Sequence, residues 1–245
     1  MSLMPFQINE YLTKKIVQDL AIECSNATQV IVQQGAVVGA DDGGDILVVP
    51  SAITLDITTS GLGGLDTGSE TADTWYYIWL IKDQFTGTVA GLLSASSVSP
   101  TLPVGFTIKR LVGAVRNDGS GDFLQFTQID SSVEYKDYYN VFSAGQSTWV
   151  SVDASNYVPQ ISCILDSFTF VSNADSTGAR GFVLPGLLSG TGSGGRQIVY
   201  GSASQNSSGS GSPAVFQIDN NQAFSTYHHG SGYHNISVIG FTLNL

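Results

Sequence analysis

Apolar ribbons and short polar turns follow one another from Trp75 to Phe126. The segment Tyr76-Tyr77-Ile78-Trp79-Leu80-Ile81 places apolar side chains on both faces of an extended chain, so it is stable only as a strand covered on both sides. The same reading predicts strands over Val30–Gln33, Ile46–Val49, Ile53–Thr58, Trp75–Ile81, Val89–Ser94, Thr107–Arg116 and Phe123–Ile129. Turn residues separate them at Asp42-Gly43-Gly44, Gly61-Leu62-Gly63-Gly64, Thr86-Gly87 and Asp118-Gly119. Pro100 and Pro103 keep their surroundings out of any central strand.

The pattern restarts at Tyr138-Tyr139-Asn140-Val141-Phe142. Seven strands are expected beyond it, over Ser147–Val152, Ile161–Val171, Arg180–Leu184, Arg196–Tyr200, Ala214–Asp219, Ala223–Tyr227 and Asn235–Asn244. That number and spacing fit an antiparallel, jelly-roll-like sandwich. In the last strand Ile236, Val238, Gly240, Thr242 and Asn244 are expected on one face, with Ser237, Ile239, Phe241 and Leu243 on the other. Two Gly/Ser-rich stretches, Leu188–Gly195 and Ser202–Ser212, read as loops at one rim. At the other end, Tyr11, Leu12, Ile16 and Leu20 fall on one helical face without a cap, so residues 1–18 read either as a helix or as an extended arm.

Composition sharpens this picture. The chain of 245 residues is 42% hydrophobic and only 12% charged, about half the usual charged fraction. So few charges suit a protein that packs against copies of itself or inside an assembly. The net charge of −11 excludes a nucleic-acid surface and an anionic membrane, both of which need Lys/Arg clusters. Charge is also unevenly divided: residues 1–137 hold sixteen Asp/Glu against seven Lys/Arg, whereas residues 138–245 hold four Asp and only Arg180 and Arg196. That shift places a domain boundary near Asp137. The expected organisation is an arm (1–18), a β-rich anchoring and oligomerisation module (19–137) and a displayed β-sandwich (138–245). Both modules are antiparallel, so the fold class is all-β.

Cys24 and Cys163 are too few and too far apart for a disulfide framework or metal knuckle, and read as small buried hydrophobes. No stretch approaches the ~20 apolar residues of a membrane span, and the N-terminus lacks the pattern of a secretory signal. Cytoplasmic synthesis and assembly are therefore expected.

The first module carries Gly64-Leu-Asp-Thr-Gly68, an aromatic strand ending Trp79-Leu-Ile-Lys82, Thr86-Gly-Thr-Val89, Ser99-Pro-Thr-Leu-Pro103, and Lys109-Arg-Leu-Val-Gly-Ala-Val115. In these segments it resembles a β-rich module of tailed-bacteriophage virion structural proteins. A closing Asp-Gly-Ser-Gly-Asp-Phe-Leu-Gln-Phe follows from Asp118, and Asp19–Gly35 is similar to the module's first strands. The similarity spans roughly residues 15–137. It implies a fibre, spike or decoration protein in the virion, assembled in the host bacterial cytoplasm. It also implies a homotrimer whose N-terminal arm docks on other virion proteins.

Candidate chemistry concentrates near the C-terminus. His228, His229 and His234 lie within seven residues, and imidazole is a common metal ligand, but acidic or thiol partners are missing nearby. With Trp149, Tyr200, Tyr227 and Tyr233 they form an aromatic and polar set suited to sugar recognition, in which rings cover C–H faces and polar groups take hydroxyls. These seven are the candidate contacts for a host-surface glycan. No metal, cofactor or catalytic residue is assigned. Gly190–Gly195 satisfies G-x-G-x-x-G but precedes a strand instead of a helix, which disfavours a dinucleotide site. Asp41, Asp42, Asp45, Asp118 and Asp122 lack the spacing of a helix-flanked calcium loop. The motifs G-x-S-x-G and H-E-x-x-H are absent, and the distal half offers a hydrolase only Asp153, Asp166, Asp175 and Asp219. The reading is therefore non-enzymatic, with a tailspike-like polysaccharide hydrolase and a purely architectural connector as alternatives.

Overall fold

A computed structural model describes residues 13–145, 148–161, 163–172, 179–184, 198–203, 209–218, 221–229 and 232–245. The chain is all-β: every named element among those residues is a strand, and only Thr13 and Lys14 are helical. It divides into two compact units, Met1–Val133 with Leu245, and Glu134–Asn244.

In the first unit, β1 (Val17–Gln18), β4 (Val37–Gly39) and β5 (Ile46–Val48) form a small antiparallel sheet. The last residues of the expected arm therefore belong to this unit, while residues 1–12 lie outside the described chain. A second sheet joins β10 (Phe126–Ile129), β2 (Ala21–Cys24), β3 (Gln29–Val32) and β6 (Ile53–Asp56). The third places β7 (Thr74–Asp83) between β8 (Val89–Ser94) and β9 (Phe106–Asn117). Tyr76 through Ile81 are all buried, so the apolar ribbon is covered on both faces as expected. Trp79 sits at its centre. Its indole Nε1 donates to the Ser96 carbonyl at 3.1 Å, and Lys109 Nζ lies 5.1 Å from its ring centroid. Cys24 is buried with its thiol 3.5 Å from the Leu124 carbonyl.

Segments of the first unit that are distant in sequence are bound to one another. Asp66 donates its amide to Leu93 at 2.8 Å, and Leu93 donates its own to Gly64 at 2.8 Å. The Asp66 carboxylate then accepts Ser94 Oγ at 2.8 Å and the Thr101 amide at 2.7 Å. Three stretches separated in sequence thus meet at one side chain. Asp118 organises the closing turn by accepting the amides of Ser120 and Asp122 at 2.8 and 3.0 Å.

The chain passes between units within β11 (Ser132–Ala144). In the second unit β11 lies beside β18 (His234–Leu243), followed by β13 (Cys163–Ser172) and β16 (Gly209–Ile218). The other sheet runs β12 (Val150–Asp153), β17 (Ala223–His229), β14 (Ala179–Leu184) and β15 (Ile198–Ala203). Phe216 of β16 and Phe224 of β17 meet edge to face with centroids 5.2 Å apart, which places the core between the two sheets.

One facing pattern differs from expectation. Ile236 and Val238 point inward, but after Gly240 the inward residues are Phe241 and Leu243. The register with β13 slips between Asp166 and Ser167, where Asp166 pairs with Gly240 and Ser167 with Val238. The extra residue at this bulge reverses the facing of everything beyond it.

Candidate functional site

Strand alternation splits the candidate contact set in two. In β17, Thr226 and His228 point into the second unit and are fully buried, while Tyr227 between them turns to the other face. Trp149, just before β12, packs against Tyr227 with ring centroids 5.5 Å apart, and both are half-buried. Tyr233, in the turn leading into β18, is 62% exposed; its amide donates to Ser172 Oγ at 3.2 Å. The side chains of Tyr200 and His229 lie outside the described part of the chain.

His228 and His234 come together, but inside the sandwich. They face each other from opposite sheets with ring centroids 6.3 Å apart. Both are fully buried, which withdraws them from any outer surface. A role for this pair in glycan contact is thus corrected: rings enclosed between two sheets cannot cover a sugar face. The same enclosure removes them from a ligand shell completed across a symmetry axis. Thr226 Oγ1 and His234 Nδ1 share a hydrogen bond of 3.2 Å, and Phe142 meets the His234 ring edge to face at 5.8 Å. His234 Nε2 has no hydrogen-bond partner. It lies over Gly181, where an added Cβ would come within 2.7 Å of it. Burial, with His228 alongside as a smaller cause, pushes the His234 pKa down to about 4. His234 is therefore held neutral in the interior, and among the described residues no three His, Cys, Asp or Glu side chains converge as a metal site would need.

Carboxylates of the second unit are dispersed. Asp153 accepts the Ser155 amide at 2.8 Å, as a turn residue does. Asp166 sits on the outer face of β13, where burial among its neighbours raises its pKa with no contribution from another charged group. Asp175 and Asp219 lie outside the described residues, as does the Gly190–Gly195 motif.

No protein-family model matches the chain, and no curated protein is similar to it.

The surface of the β16-β13-β18 sheet adds residues that sequence reasoning did not single out. Ile164, Phe168 and Phe170 of β13 and Val215 of β16 are 40%, 37%, 37% and 58% exposed. Tyr138 of β11 is 73% exposed and stacks parallel on Phe168, with centroids 6.4 Å apart. At one end of this face a cleft of about 490 Å³ is lined by Ile164, Val215, Gln217, Thr242 and Asn244. The available signal was the alternation in Ile164–Phe170, which sets apolar residues on both faces of a strand with only one face in the core.

Proposed function

We propose that this chain is a structural component of a tailed-phage virion, a fibre, spike or decoration protein assembled as a homotrimer in the host cytoplasm. In this reading the first unit anchors the chain, the N-terminal segment docks on other virion proteins, and the second unit is displayed. Host-surface glycan contact falls to Trp149, Tyr227 and Tyr233, the described candidates that keep surface area.

One observation carries the reading. Gly64–Gly68 and Ser99–Pro103, separate pieces of the virion-like signature, are tied to each other and to the intervening strand β8 through the backbone and carboxylate of Asp66. The resemblance therefore follows one folded module and not a scatter of unrelated short matches. Antibody to the chain should decorate intact tailed particles at one location in electron micrographs. Undecorated particles, with the protein confined to the soluble fraction of the host, would overturn the proposal.

A second reading, an architectural connector without a ligand, is favoured by the enclosure of His228 and His234. Reversible binding of host glycan by the purified chain, lost in Trp149→Ala, would favour attachment over the connector.

A further inference from the structure

We propose that the outer face of the β16-β13-β18 sheet, centred on Phe168, is where copies of this chain pack against one another. The inference rests on the reading that the chain is a self-assembling virion component, and names the surface responsible.

Size supports it first. Tyr138, Phe168 and Phe170, at the exposures given above, present roughly 300 Å² of ring surface. Ile164 and Val215 bring the apolar total to about 400 Å². A subunit interface of standard size covers about 800 Å² per partner, a little over half of it apolar, or about 450 Å². The face thus supplies close to the whole apolar share of one such interface. Scattered single hydrophobics are ordinary on a monomer, but here they are contiguous: Phe168 and Phe170 alternate along one strand, Val215 lies opposite Asp166 on the next, and Tyr138 covers Phe168.

Charge identifies the occupant as another copy. Each chain carries −11, so two copies repel unless they meet where that charge is thin. Residues 138–245 hold four Asp and two Arg, whereas the first 137 hold sixteen acidic residues against seven basic ones. Within the second unit, the outward positions of β13, β16 and β18 carry one ionisable group, Asp166, and β11 beside them adds the opposite charges Glu134 and Lys136. Their other polar groups are Gln217, Asn235, Ser237 and Thr242, which hydrogen-bond in either sense and so suit pairing with an identical surface. A strongly basic partner would find little to attract it here. In a trimer each copy would turn this face toward the common axis.

The test is light scattering coupled to gel filtration on the full chain at micromolar concentration. Wild type should elute with about three times the 25.8 kDa chain mass. Phe168→Glu and, on the neighbouring strand, Val215→Arg should each lower the mass to that of one chain while keeping the β-sheet circular dichroism of wild type. Ser151→Glu, exposed on β12 of the opposite sheet, should leave the oligomer intact. A monomeric wild type overturns the inference, and so do face variants that keep the wild-type mass. Face variants that stay oligomeric but lose binding to host cells would assign the surface to a glycan and overturn it equally. Particle labelling distinguishes this failure from failure of the virion reading: labelled particles with a monomeric purified chain sink the self-packing face alone.

Discussion

Lowering the pH protonates His234 in the unfolded chain well before it can do so in the folded one. The side chain titrates near 6.5 when free, but near 4 inside the sandwich, because burial and the neighbouring His228 both disfavour its charged form. Above pH 6.5 both states are neutral and the group contributes nothing to pH dependence. Between 6.5 and 4 the unfolded state binds the proton and the folded state does not, so stability falls by about 1.4 kcal/mol per pH unit. The loss totals roughly 3 kcal/mol and stops below pH 4, a large part of the 5–15 kcal/mol typical of a domain. Other groups act differently over this range. Asp41 and Asp166 have raised pKa values and oppose the loss as pH falls, while Asp45, Asp56 and Asp83, whose values are lowered, act only from about pH 4 downward. Comparison with His234→Gln separates the contributions, since glutamine does not titrate yet can still hydrogen-bond Thr226. Urea unfolding at half-unit steps from pH 7 to 4, read by tryptophan fluorescence and by exchange of β17 and β18 amides, gives the two slopes. Wild type should lose roughly 3 kcal/mol more than the variant across the window. Parallel slopes would show that His234 is not held neutral and would refute the reasoning.

Gly181→Ala should destabilise the second unit by about 1–3 kcal/mol, because its Cβ would meet His234 Nε2 at 2.7 Å and Val171 Cγ2 at 2.8 Å, both inside the core. A lowered urea midpoint with unchanged slope is the expected readout, and an unchanged midpoint would mean that the two sheets can part without cost. Gln128→Ala should cost the first unit about 2–3 kcal/mol, since Gln128 Nε2 donates at 2.7 Å to the carbonyls of both Val112 and Asp130. Thermal unfolding measures it, and a shift no larger than that of an exposed Gln→Ala change would count against the account.

Much of the fold was legible because β pairing leaves a local mark. The doubly buried ribbon at Tyr76–Ile81 could only be a covered strand, and Val89–Ser94, flanked by its turns, carries the bounds expected of it. Short strands were missed where few residues carry the period: Ala21–Cys24 and Val37–Gly39 have four and three residues. The long strand Ser132–Ala144 was obscured by the exposed Glu134, Lys136 and Asp137, which in sequence look like the polar edge of a domain. The candidate site was less legible. Adjacent residues point to opposite faces of a strand, so Tyr227 and His228, neighbours in sequence, end on the surface and in the core.

By itself the sequence determined that this chain is β-rich, poorly charged and divided in composition, since propensity, turn chemistry and charge are local quantities summed along it. Only tertiary structure decided which face of each strand meets the core. A single bulge at Asp166/Ser167 reverses that facing in β18, and the packing of one sheet on another encloses two histidines while leaving Phe168 and its neighbours uncovered.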